Sequence, residues 1–256
     1  MVGRKKVVGC VIGRFVPPTR GHRLLIEAAI AGCDELWVLV VGNSSDETFC
    51  PLALRVAWLR EMFGNPTVHV APIRSDLPNS NGDRAILAQW CDLMRAAMGR
   101  NGIDVLFSSE RGTYAEATAA ELGARNAVVD PDRRAVPISG TVVRRDPLAA
   151  WDYLDPPVRA HFAARVLLTG SRAAGAAARL ALGYHTSWTA AGGKAEDAAA
   201  RATNRLLLCA ADRPVPDAGR YGLSCDTDST GALEALPARI EARWPALAPS
   251  GARSQR

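Results

Sequence analysis

The first 42 residues of the chain spell out strand, turn, helix and strand. Val7 to Ile12 is a short apolar run with no polar side to turn toward water, the pattern of a strand buried on both faces of a parallel sheet. GRFVPPTRGH, Gly13 to His22, interrupts it with two glycines and two adjacent prolines. Helical spacing then runs from Gly21 to Ile30, and DELWVLVVG, Asp34 to Gly42, reads as a second buried strand. A βαβ unit at the start predicts an open α/β sheet, because parallel neighbours need a crossover element between them.

The pattern continues to about residue 160. A helix fits Pro51 to Phe63, with Pro51 in its first turn, and Val68 to Ile73 is a third strand. Arg74 to Arg84 is loop by composition, followed by helical spacing from Ala85 to Met98. Gly102 to Glu110 is a fourth strand running into a polar loop, then comes the short helix YAEATAAEL, and Ala124 to Arg133 supplies a last strand and a turn. After His161 the composition shifts to Ala, Gly, Pro and Arg. There FAARVLLTG begins a second βα unit, RLLLCAAD (Arg205 to Asp212) is another strand, and the chain closes on the tail PSGARSQR. The expected organisation is a domain over 1–160 and a thin second one over 161–256.

Apolar residues make up 48 % of the chain and charged residues 22 %, enough for a packed core. The net charge of +5 is mild and spread over dispersed arginines, so it adds little for nucleic acid, and anionic small ligands are an equally good reason for it; no nucleic-acid partner is expected. Six scattered cysteines without a close pair suit neither a zinc module nor a disulfide framework, and a cytoplasmic setting is expected. No apolar run is long enough for a membrane span.

Two segments carry chemistry. In an open α/β sheet the first strand-to-helix turn is the usual ligand contact. Gly13 leaves room for a phosphate, Arg14 brings a charge, and Thr19 and His22 stand as donors at a helix start whose amides favour an anion. The second segment is Asp130 to Pro147. There PISGT places Ser139 and Thr141 around a glycine, and Arg144 lies one helical turn beyond Thr141. Two such anion sites describe a split polyphosphate clamp.

GRFVPPTRGH resembles the GxFxPxHxGH signature of nucleotidylyltransferases of the HIGH superfamily, with Thr19-Arg20-Gly21-His22 as its core, and ISGTVVR (Ile138 to Arg144) resembles their second signature, ISxTxxR. Ser109-Glu110 at a strand end, VVDPDR before ISGT, and the bridge WDYLDPPVRAHF are similar to the bacterial bifunctional nicotinamide-nucleotide adenylyltransferase/ribosylnicotinamide kinase family, over about residues 5 to 170. That resemblance implies a Rossmann-like doubly wound parallel sheet and transfer of AMP from ATP to nicotinamide mononucleotide, giving NAD and pyrophosphate. It implies that His22 and Thr19 contact the α-phosphate region and that Arg144, with Ser139 and Thr141, holds the departing phosphates. It further implies that Gly13, Arg14, Phe15 and Gly21 line the nucleotide site, that Trp90 stacks on the nicotinamide ring, and that Mg²⁺ bridges phosphate oxygens with few protein ligands. Trp37 and Trp58 are expected in the core.

The later part departs from that family. Gly170 to Ala177, GSRAAGAA, keeps the glycine spacing of the phosphate loop GxxxxGK[ST], but Ala176 and Ala177 stand at the lysine and hydroxyl positions. A small α/β segment resembling a truncated P-loop kinase domain, without kinase activity, is therefore expected; Asp212 alone does not replace the missing groups. Two alternatives stay open on the sequence. One is a related nucleotidylyltransferase using ATP or CTP with another phosphate- or phosphonate-bearing acceptor. The other is a non-catalytic nicotinamide-nucleotide sensor, expected here without a DNA-binding segment ahead of the first strand. Oligomeric state is open too.

Overall fold

The computed structural model describes residues 4–79, 82–212, 215 and 218–247. Asn81 and the tail 249–256 lie outside them. The chain divides into two compact units, Met1–Arg145 and Asp146–Arg256.

The first unit is a five-stranded, all-parallel sheet: β1 (Val8–Gly13), β2 (Glu35–Gly42), β3 (Val68–Arg74), β4 (Val105–Ser108) and β5 (Arg125–Val128), ordered β3-β2-β1-β4-β5. Alternation of side chains divides the core in two. Val11 of β1 and Leu36, Val38 and Val40 of β2 face α1 (Arg20–Gly32) and α2 (Leu52–Met62), where Ile26, Ala29, Val56 and Leu59 meet them. Val8, Cys10 and Leu39 face the other way, toward α3 (Arg84–Met98) and α4 (Thr113–Glu121), and pack on Trp90, Cys91, Met94 and Leu122. Burying each of these large side chains contributes about 1.5–3 kcal/mol, so both faces hold the sheet. Helices on both faces make it the Rossmann-like, doubly wound sheet expected.

Strand order reverses at β1, whose neighbours are β2 on one side and β4 on the other. Connections leave the two strands in opposite directions there, and the crevice beyond their carboxyl ends is where such sheets bind ligands. The short α5 (Gly140–Arg145) closes the unit.

The second unit is a four-stranded parallel sheet in the order β7-β8-β6-β9, formed by β6 (Ala164–Thr169), β7 (Ser187–Ala190), β8 (Leu206–Ala211) and β9 (Leu223–Asp226). Its helices are α6 (Pro156–Phe162), α7 (Ala173–Gly183), α8 (Gly193–Ala202) and α9 (Ala232–Arg243). It is more regular than the composition suggests: β7, β9, α8 and α9 were not legible in it. Leu148 and Trp151, before residue 160, belong to this unit's core together with Val166, Leu168 and Leu208. All six cysteines are free, and among the described residues no helix is long and apolar enough to cross a membrane.

Candidate active site

A cavity of about 320 Å³ opens at the reversal point, between the loop after β1 and the loop after β4. Gly13, Phe15 and His22 line one side, Ser109 and Tyr114 another, and Gly140 and Arg144 of α5 complete it. A smaller pocket beside it joins Thr19, Gly21 and His22 to Arg133 and Ser139. Both segments singled out in the sequence meet here.

His22 is held by its own helix start. Thr19 is the N-cap of α1: its Oγ1 accepts from the His22 amide at 3.4 Å, and its amide donates to His22 Nδ1 at 3.0 Å, a reciprocal capping box. Because Nδ1 accepts, the neutral ring carries its proton on Nε2, the nitrogen left to donate. Loss of water around the ring pushes the pKa of His22 down to about 4, and the nearby Arg133 guanidinium adds to the shift. His22 is therefore a neutral donor at physiological pH. Two consequences follow for pH. Any rate that depends on the neutral ring should be flat in this group from pH 8 to about 5 and be lost as pH falls through about 4. Between the ordinary value of 6.5 and about 4 the unfolded chain takes up the proton and the folded one does not, so stability should decline as pH drops through that window. Melting temperatures of wild type and His22→Ala across pH 4–7 check the second point, because the variant should lack that part of the slope.

The loop before Thr19 is tightly shaped. Phe15 is 2 % exposed and left-handed, with φ 51°, a conformation that costs a residue with a side chain of order 1 kcal/mol. Its ring lies 5.0 Å from that of His22, edge to face. A Cβ on Gly13 would stand 3.2 Å from the Phe15 ring, so the missing side chain admits Phe15 in the first place.

Arg144 ties the two segments together. Its Nη1 donates to the Val16 carbonyl at 3.1 Å across 128 residues of sequence, and Nη2 donates to Thr141 Oγ1 at 3.0 Å. Gly140 makes this reach possible, since a Cβ there would sit 3.1 Å from Arg144 Nη1. Ser139 Oγ accepts from the Val142 amide at 3.3 Å and so caps α5, while keeping its hydroxyl proton to give. Asp130 organises the approach to this helix by accepting from the amides of Arg134, Ala135 and Val136.

No family model matches the chain. It is 27 % identical over 187 residues to the trifunctional NAD biosynthesis/regulator protein NadR of Escherichia coli (strain K12), covering 67 % of this chain and 44 % of that protein. A crystal structure of NadR protein in complex with NR superposes with a TM-score of 0.63 at 19 % identity, covering 81 % of this chain and 69 % of that one. One of NadR protein with NAD and AMP-PNP gives 0.63 at 18 % identity, covering 93 % and 77 %. The chain is similar to NadR over about two thirds of its length. The two signatures point to the same similarity, and the superposed structures share the Rossmann-like fold. The chain spans less than half the length of that curated relative.

The site also differs from what the resemblance implies. Arg14 lines the cavity, but its guanidinium is paired with Asp46, with Nε 2.9 Å from Oδ2. Trp90 is not brought to the cavity. It is 6 % exposed in the α3 core, and its Nε1–H is spent on the Pro78 carbonyl at 2.9 Å. Amphipathic spacing alone does not distinguish an inward-facing tryptophan from one at a pocket rim. Trp90→Phe should therefore leave acceptor KM unchanged and lower stability by about 1 kcal/mol through the lost hydrogen bond; a steady-state titration beside a thermal melt checks it. Tyr114, 42 % exposed, is a further aromatic on the cavity wall, and Arg133 shares the smaller pocket with His22 and bears on its charge. Both were missed. VVDPDR was the only available signal for Arg133, and Tyr114 carried none. Trp58 is buried and Trp37 packs against the α3 face, as expected of core residues.

In the second unit, Ala176 and Ala177, at the lysine and hydroxyl positions of a phosphate loop, are buried in the hydrophobic core. The place an anion would take is filled from within. Asp228 Oδ2 accepts from the Ser171 amide at 2.8 Å and Oδ1 from Ser171 Oγ at 2.8 Å, while Gly170, at φ 102°, has no space for a Cβ because Asp228 lies 2.6 Å away.

Proposed function

We propose that the first unit transfers AMP from ATP to nicotinamide mononucleotide, giving NAD and pyrophosphate, with His22, Thr19 and Arg144 as the catalytic set. The observation that carries the reading is the meeting of His22 and Arg144, from two distant signatures, on one cavity at the strand-order reversal. Gly13, Arg14, Phe15, Gly21, Ser139 and Thr141 would shape the nucleotide side.

In this reading an acceptor phosphate oxygen attacks the α-phosphorus of ATP. A new phosphorus–oxygen bond forms, the bond to the bridging α–β oxygen breaks, and its electron pair leaves with pyrophosphate. The acceptor is already ionised at neutral pH, so no base has to remove a proton. What the chain must supply is position and charge stabilisation. Neutral His22 would donate Nε2–H to a non-bridging α-oxygen, where negative charge builds. Arg144, with its fork already aimed by Val16 and Thr141, would take up charge on the leaving phosphates. Mg²⁺ would arrive on the triphosphate and neutralise part of its charge there.

The second unit, in the same reading, is a kinase-like module without phosphotransfer. Full-length chain given ATP and ribosylnicotinamide should form no phosphorylated product above background, checked by chromatography of the nucleoside; product above background would refute that role. The adenylyl reading is tested by a pyrophosphate-release screen of ATP and CTP against nicotinamide mononucleotide, nicotinate mononucleotide and other phosphate- or phosphonate-bearing acceptors. The largest kcat/KM should fall on ATP with nicotinamide mononucleotide. Preference for another pair would move the chain to a sister reaction, and ATP binding without release in every pairing would make it a sensor.

A further inference from the structure

Arg14 stands where two spaces meet. It lines the 320 Å³ cavity and also a wider cleft bounded by Arg84, Leu87, Glu110 and Tyr114. Its side chain and its backbone are both gripped from elsewhere in the sheet. Asp46, in the turn after β2, is 4 % exposed and pairs with the guanidinium through both carboxylate oxygens, Nε to Oδ2 at 2.9 Å. Asn43 fixes that turn by accepting from the Asp46 amide at 3.1 Å. Arg55, on α2, is wholly buried and donates through Nη1 to the Arg14 carbonyl at 2.5 Å and to the Val41 carbonyl at 2.7 Å. It thereby ties the ends of β1 and β2 to each other beneath the loop.

That arrangement is costly as packing alone. A buried guanidinium without a carboxylate partner loses its hydration, and Nε and Nη2 of Arg55 find no acceptor among the described residues. An apolar residue on α2 would fill the same space without that cost. What the arginine adds is a two-carbonyl staple at the exact point where the loop turns into the site and the next residue, Phe15, is left-handed.

We propose that Asp46 and Arg55 are positioning residues that hold Arg14 at the junction of the two spaces, so that its guanidinium presents one fixed edge to bound phosphates. The assignment rests on the reading of the cavity as a triphosphate site. Neither Asp46 nor Arg55 lines either space; both act through Arg14. Asp46 orients the head group and Arg55 sets the backbone from which it projects.

A double-mutant cycle tests this, read both as kcat/KM in pyrophosphate release and as the Kd of Mg·ATP, in full-length chain. Asp46→Asn keeps size and removes charge. It should lower kcat/KM and weaken ATP binding by about 10-fold or more in the wild-type background, and change neither in the Arg14→Ala background, because a residue acting only through Arg14 has nothing left to orient. Asp46→Glu should recover part of the loss. Arg55→Lys, which retains a donor for the two carbonyls, should exceed Arg55→Met on both readouts at equal melting temperature. Equal losses from Asp46→Asn in both backgrounds, or none in either, would overturn the proposal. If wild type bound ATP without releasing pyrophosphate, the reaction assignment would fail and the affinity arm would still decide the cycle.

Discussion

His22→Ala is expected to lower pyrophosphate release by about 10²–10³-fold, the loss usual for one preorganised donor to developing phosphate or oxyanion charge. The ring also serves α1, since its Nδ1 accepts from the Thr19 amide. Removing that half of the capping box costs about 1 kcal/mol. Set against a total stability of about 5–15 kcal/mol, this leaves the chain folded, so the two effects separate: a melt shows the small one and the rate shows the large one. KM for the triphosphate should change much less than kcat, because the Nε2 bond strengthens as charge builds on the α-oxygens. A variant that melted normally and kept near-full turnover would remove His22 from the chemistry.

Arg144→Ala is the second large effect expected, a loss of about 10²-fold in kcat/KM, carried more by KM for the triphosphate. A charge-assisted hydrogen bond is worth about 1.5–3 kcal/mol, and the arginine fork offers more than one to a polyphosphate. The substitution also deletes the bond to the Val16 carbonyl, which spans the two signatures. Arg144→Lys restores the charge but not the planar fork that reaches Val16, Thr141 and a ligand together, so it should recover only part of the loss. Steady-state titrations of ATP with each variant check the order: wild type, lysine, alanine.

The centre of the first sheet was legible because β1, β2 and β4 are largely apolar runs bounded by turn residues, and a strand buried on both faces has few other ways to read. β7 and β9 were not: SWTA and LSCD are four residues each, with polar members, and become strands only by pairing with β8 and β6. At the site, Thr19, His22 and Arg144 were visible because helix starts demand fixed offsets between cap, donor and cation. Asp46 and Arg55 were invisible for the opposite reason. Their partner, Arg14, is 32 residues from the one, and the other reaches its carbonyl across 41, and no local spacing encodes either contact. Arg55 lies in a helix whose sequence shows no reason to turn an arginine inward; here it faces the ends of two strands. Trp90 shows the same limit from the other side, a residue type suited to stacking that the packing of α3 turned into the core.

Incubation of the purified chain with Mg²⁺, nicotinamide mononucleotide and ATP labelled at the α-phosphorus tests the central claim most directly. The label should appear in NAD, in step with pyrophosphate release, and both should collapse together in His22→Ala. Label that stayed in ATP under saturating acceptor, or that reached NAD equally well without His22, would contradict it.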